Sequence, residues 1–436
     1  MKAGFTTGSW SLVHGAGMSL LTLPSGRRRV RAAALADDDL RRHVLNRLTF
    51  AATGEAVDAA AVLSPGDLVE ALLDASPRDL GMPVMHGDDD WSTVPQWWFD
   101  VMRHPGAGLH ERMVWFWHGH LTSSMDTSSP ALMFRQQVIF RRHAAGSFRD
   151  LLQEVTVDPA MLFWLNGAWS TADNPNENYA RELMELFALG RNNGYTEDDV
   201  HQAAVALSGW WVDGDHDDRV EFDPERGPRH TVPLFGGRVG SAAEVIDAVC
   251  DHPACAPHIA GALYRALHGV DPADDVRAEL AAVFADGGLQ LRPLLEATVR
   301  HPTFLGNPQP RPRSHLEWYI ALCRFLRRDD VDVWPLYSLG QMPFSPPNVA
   351  GWPGNDRWLS VGAELTKAQL AFDLMWDAAP PDSDDVVGEL CWRAGISPGP
   401  ATRAALDEAY VTGPDEWEPY RSVMALIPLT PEFNII

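Results

Sequence analysis

The sequence predicts a mainly α fold, and three features of its 436 residues carry that reading. Apolar residues recur at helical spacing over most of residues 38–210, 244–328 and 361–378, the pattern of helices that bury one face. Cap-then-proline starts recur at Ser64-Pro65, Asp158-Pro159, Asn174-Pro175 and Asp271-Pro272. Proline suits the first helical position because its missing N–H would be unpaired there anyway. Strand-like alternation is nearly absent. A large multi-helix domain with long, ordered Pro/Trp/Gly-rich loops follows, with at most a short β-hairpin.

Residues 1–36 hold Gly, Ser and Arg without sustained period and read as a flexible leader. The apolar stretch Trp10–Leu23 is broken by His14, Gly15, Gly17 and Ser19, and Arg27–Arg29 follow it. An export signal has the basic run first, so a cytoplasmic location is expected, and no window has the ~20 apolar residues of a membrane span. Helices begin with Asp38 ahead of Leu40, Val44, Leu45 and Leu48. A first helical half, 37–215, carries the candidate site. Thr196 with Asp199 there resembles a capping box, Asp standing in for Glu. A charged, Gly- and Pro-rich excursion at 216–243 includes Arg219–Phe222 and Thr231–Phe235, which pair at most as one short hairpin. A second helical half, 244–378, includes the Pro- and Trp-rich stretch Asp329–Ser360, whose aromatic content predicts an ordered loop. The run Pro380–Asp385 reads as a hinge, and 379–436 as a small helical segment.

Charge narrows the function. Lys plus Arg number 35 against 59 Asp plus Glu, a net charge of −24. Nucleic-acid binding is therefore not expected, since a basic face must displace counterions from phosphates. Lysine occurs only at Lys2 and Lys367, leaving little for Schiff-base or phosphate-cradle chemistry. Cys250, His252, Cys255 and His258 crowd into nine residues without Cys-x2-Cys spacing, and read as buried thiols at a helix entry more readily than as zinc ligands. The nucleotide-loop, nucleophile-elbow and H-E-x-x-H signatures are absent.

Two segments remain. Glu111–His120 is apolar on all sides from Met113 to Trp117 and ends in His118 and His120. Two residues apart on a helix, these face opposite ways, unless Gly119 ends the helix and lets His120 turn back. Asn174–Gly190 is capped by Asn174, opened by Pro175 and closed by Gly190. Its apolar stripe confines Asn178, Arg181, Glu182 and Glu185 to a narrow polar strip, with Glu177 in the place of a capping acid. Carboxylates at i, i+3 share a helix face and are able to bridge a metal or share a proton.

These segments, with Gly194–Val200, His252-Pro253 and Pro346–Gly354, make the chain resemble the bacterial domain-of-unknown-function 1800 family, from about residue 40 to the C-terminus. The resemblance implies a largely helical fold and no established reaction. It implies relatives that are often exported, and a sulfatase-like uncharacterised family as a possible partner beside them. Gly119 and Leu121 replace the family's Asn and Phe, and Arg226–Thr231 stands where the family has His-Asp-x-Gly-x-Lys.

From the residues, Glu182 and Glu185 with His118 and His120 form a carboxylate–imidazole ligand set suited to Fe, Mn or Zn. Arg181 would bind an anionic substrate or hold Glu185. Asn178, Tyr195, His201 and the loop carrying Asn348, Trp352 and Trp358 are the expected cleft lining, although His201 also reads as a helix-surface residue. The expectation is a metal-dependent oxidative or hydrolytic enzyme. Its alternatives are a non-catalytic helical scaffold whose polar strip is a salt-bridge network, and a metal-free enzyme using the two carboxylates as acid and base.

Overall fold

The computed structural model describes residues 36–77, 81–83, 91–213, 218–414 and 416–436, with backbone alone at 355 and 356. The expected leader lies outside the described residues except for Ala36. The first half is α1 (Asp37–Leu48), α2 (Gly54–Ala60), α3 (Pro65–Asp74), α4 (Thr93–Arg103), α5 (Leu109–His120), α6 (Pro130–His143), α7 (Phe148–Thr156), α8 (Pro159–Trp164) and α9 (Asn178–Glu182). The last of these runs on as a π-helix, Leu183–Ala188, before α10 (Glu197–Ala206).

Capping follows side-chain chemistry. Ser64 and Asp158 each accept a backbone N–H of their helix, and Thr196 and Asp199 form the reciprocal capping box. The other two proline starts fail for local reasons. Asn174 is held in a turn by backbone bonds with Thr171, so α9 begins at Asn178. The Asp271 carboxylate accepts from Arg265 instead, and the helix after it begins at Asp274.

Two small antiparallel ribbons occupy the excursion. Strand β1 (Trp210–Asp213) pairs with β2 (Arg219–Phe222), and β3 (Val232–Leu234) with β4 (Gly237–Val239). The two segments read as one hairpin are thus strands that pair with other partners. Trp210 lies opposite Phe222, ring centroids 5.2 Å apart. Phe235 and Gly236, both at positive φ, close the second ribbon as a tight two-residue turn.

The second half is α11 (Ala242–Asp251), α12 (Cys255–His268), α13 (Asp274–Asp286), α14 (Leu291–Arg300), α15 (Pro302–Gly306), α16 (His315–Leu326), α17 (Pro335–Ser338) and α18 (Val361–Met375). Then come α19 (Val386–Arg393), α20 (Pro400–Thr412), α21 (Pro419–Leu426) and α22 (Pro431–Asn434). Helix α16 is buried at every position except Arg324, so the fold is wrapped around it, as an all-round apolar helix requires. The C-terminal helices pack back on the first ones: Trp392 Nε1 donates to Asp58 at 2.9 Å, and residues 36–436 form one compact unit. Among the described residues no helix is long and apolar enough to cross a membrane.

The 329–360 loop is pinned to α5 and its exit. Phe344 donates its N–H to His118 and accepts one from Met125, and Thr122 donates to Val349 O at 2.6 Å. Gly351 has φ +78°, and an added Cβ would run into Gly119 O. Only glycine lets the two backbones come this close.

Candidate functional site

Helix α5 does not stop at Gly119 but continues through His120, so its two histidines point into different surroundings. The His118 ring is fully buried against Trp98, Phe344 and Trp352, with centroids 4.9–5.3 Å away. Its Nε2 accepts the N–H of Phe344 at 3.1 Å, so the proton of the neutral ring is on Nδ1. Burial, helped by Arg141, lowers its pKa to about 3. On the other side, His120 Nε2 donates to Phe187 O at 2.8 Å while the ring stacks on Phe116. Burial and His258 lower its pKa to about 4.

The segment that carries the polar strip meets His120 through backbone, not carboxylates. Carbonyls at a helix C-terminus lack partners within the helix. Here His120 serves Phe187 O, and His258 serves Leu186 O at 2.8 Å. Arg181 donates to Glu177 and Glu197 at 3.1 and 2.8 Å and lies 3.7 Å from Glu185, which pairs with Arg191 at 3.0 Å. Glu177 accepts from His201 and Arg181 rather than capping a backbone N–H. Burial, then the Glu185 charge, raises the pKa of Glu182. The π-helix begins between the two carboxylates, and its wider turn removes the α-helical stacking of residues three apart.

Among the described residues no group of three or more His, Cys, Asp or Glu side chains is placed to hold a metal ion. The set His118, His120, Glu182 and Glu185 is not gathered: α5 continues, so its histidines face different ways, and Glu185 pairs with Arg181 and Arg191. The Cys250–His258 segment is not gathered either: its thiols are buried and form no disulfide, and His258 is spent on Leu186 O.

A different face of α5 forms a cleft. A cavity of about 290 Å³ is walled by Trp115, Trp352 and Trp358, by Arg112 and Arg311, and by His120. Trp115 and Trp352 stack with centroids 5.2 Å apart. At its base Glu317, on the first turn of α16, accepts from Arg311 at 2.7 and 2.5 Å and pairs with Arg112 at 2.5 Å. Burial alone would raise its carboxyl, but the two guanidiniums and the N–H of Ser314 hold it well below the usual carboxylate range. Behind them Arg47 and Arg313 are also buried. Three buried side-chain atoms of the cleft lining have no hydrogen-bond partner among the described residues: Arg112 Nη1, Arg311 Nε and Trp352 Nε1.

Of the expected cleft lining, Trp352 and Trp358 border this cavity, whereas Asn178, Tyr195, His201 and Asn348 do not. His201 lies on the surface, paired with Glu177 at 2.9 Å, and Asn348 closes a turn by accepting from Ala350 N. Sequence reading missed Arg112, Arg311 and Glu317. The available signal was Ser314-x-x-Glu317, a capping box just after the Arg311-Pro-Arg313 run. A family model described as "Protein of unknown function (DUF1800)" matches residues 43–435. No curated protein and no solved structure matches.

Proposed function

The chain belongs to this family of unknown function, so its activity has to be read from its own side chains, and we propose that it binds a small organic molecule in the cleft between α5, α12 and the 341–358 loop. One observation carries this reading: an aromatic-walled cavity whose lining brings together, from separate segments, Arg112, Arg311 and Trp352, each with a buried donor that has no partner among the described residues. Small-molecule sites are typically mostly apolar concavities with a few placed polar groups. The pinned loop makes the wall pre-formed, which limits the ordering cost of binding.

A metal-dependent oxidation or hydrolysis at His118, His120, Glu182 and Glu185 draws no support from the geometry, because those side chains serve separate contacts. The charge of −24 supports a ligand other than nucleic acid. The test is a small-molecule fragment screen read by thermal shift on the full chain. Hits should lose about tenfold or more in affinity with Trp352→Ala, the scale of losing a large aromatic contact. They should keep their affinity with Leu365→Ala, an exposed residue elsewhere. Hits indifferent to Trp352→Ala would place binding outside this cleft and end the proposal.

A further inference from the structure

We infer that the ligand of the cleft is an organic anion, its carboxylate or phosphate head taken by Arg112, Arg311 and the Trp352 indole N–H and its flat apolar body laid against the tryptophans. This rests on the reading of the cleft as a small-molecule site. The unpartnered buried side-chain atoms on its lining, Arg112 Nη1, Arg311 Nε and Trp352 Nε1, are all donors. Buried donors left without acceptors are costly, above all on charged groups. The lining carboxylate and amide oxygens are already engaged: both Glu317 oxygens serve arginines, and Gln341 Oε1 accepts from Leu316 N. The wall therefore holds spare donors just beneath its surface, and apart from His120 Nδ1 its side-chain acceptors are engaged, so a ligand that brings oxygen lone pairs complements it best.

Charge points the same way. Arg112, Arg265 and Arg311 line the cavity against the single carboxylate of Glu317. Arg265 is matched outside by Asp271 at 2.8 Å, which leaves two buried guanidiniums sharing one carboxylate. Burial pushes the Arg112 guanidinium below its usual value, the response of a cation short of counter-charge. In a protein of net charge −24 this wall is locally cationic, and the fork of a guanidinium matches the oxygens of a carboxylate or phosphate.

Isothermal titration calorimetry of the full chain with 2-naphthoate, 2-naphthyl phosphate and neutral 2-naphthamide tests this. At least one anion should bind about tenfold or more tighter than the amide, the scale of one charge-assisted hydrogen bond. The stronger of the two anions identifies the head group. Arg112→Met should erase that preference. If that variant does not fold, Trp352→Phe, which keeps an aromatic ring and removes the N–H, should cut the anion's affinity several-fold more than the amide's. Equal binding of anions and amide would overturn the anion assignment while leaving the cleft as a binding site. If none of the three binds, while fragments from the screen do, the anion assignment falls alone; if nothing binds at all, both readings fall.

Discussion

The polar strip of α9 and the base of the cleft are built from the same chemistry, arginine with glutamate, and they do opposite things. On the strip, Arg181 sits among Glu177, Glu185 and Glu197, partly in solvent, and each of these three carboxylates has a cation beside it. In the cleft, Arg112 and Arg311 share Glu317 in the interior and keep donors unspent. A carboxylate-rich motif at the surface satisfies itself and needs no ligand. An interior cluster with too few acceptors does not. Residue type alone therefore does not distinguish the two regions, and the balance of donors and acceptors under burial is what favours the cleft as the proposed site.

The contrast should appear first in stability. Glu317→Gln leaves two buried guanidiniums without their carboxylate and should cost about 3–5 kcal/mol in urea unfolding. A loss within the range of the surface pairs would mean that the cluster is wetter than its geometry implies. A smaller effect should follow pH through His43 and His268, which lie near the buried Arg47. Burial, then Arg47, lowers His43 to about 3. Burial chiefly lowers His268 to about 4. Both lie below the ordinary value of 6.5, so the unfolded chain binds protons that the folded chain refuses. Their contribution to stability is complete above pH 6.5 and is lost as pH falls through about 4 for His268 and about 3 for His43, so Tm should drop across that window. His268→Gln should flatten the slope, and an unchanged slope would assign the acid sensitivity elsewhere. The smallest effect belongs to the strip. Glu182→Gln should shift stability by no more than about 0.5 kcal/mol. Protein purified without a histidine tag should carry Fe, Mn and Zn at background before and after the change; a stoichiometric metal lost on Glu182→Gln would reverse the comparison.

The helices were legible because capping and period are local. Ser64, Asp158 and Thr196 act on backbone three residues away, within reach of any window of sequence. The pairing of Arg219–Phe222 was not legible, since nothing in four residues announces that Trp210 is their partner. The expected ligand set is not gathered, for two physical reasons. Facing on α9 was read at α-helical period, and the helix changes its winding at Leu183. Arg112, Arg311 and Glu317 lie 199 and 6 residues apart in turn, and their meeting depends on how α5, α16 and the stretch before it pack. Trp352 stood out because a Pro-, Asn- and Trp-rich loop without helical period is rarely idle.

The widened winding of Leu183–Ala188 behaves as a phase insertion. Removing one residue there would let an ordinary α-helix close over the gap and rotate everything downstream by about 100°. Gly190, whose left-handed turn passes beside His258, would then leave from the wrong side, and the carbonyls of Leu186 and Phe187 would swing away from the two imidazoles that cap them. The chain should therefore tolerate many substitutions in this stretch better than a single deletion, because what the stretch encodes is a count of residues rather than a set of side chains.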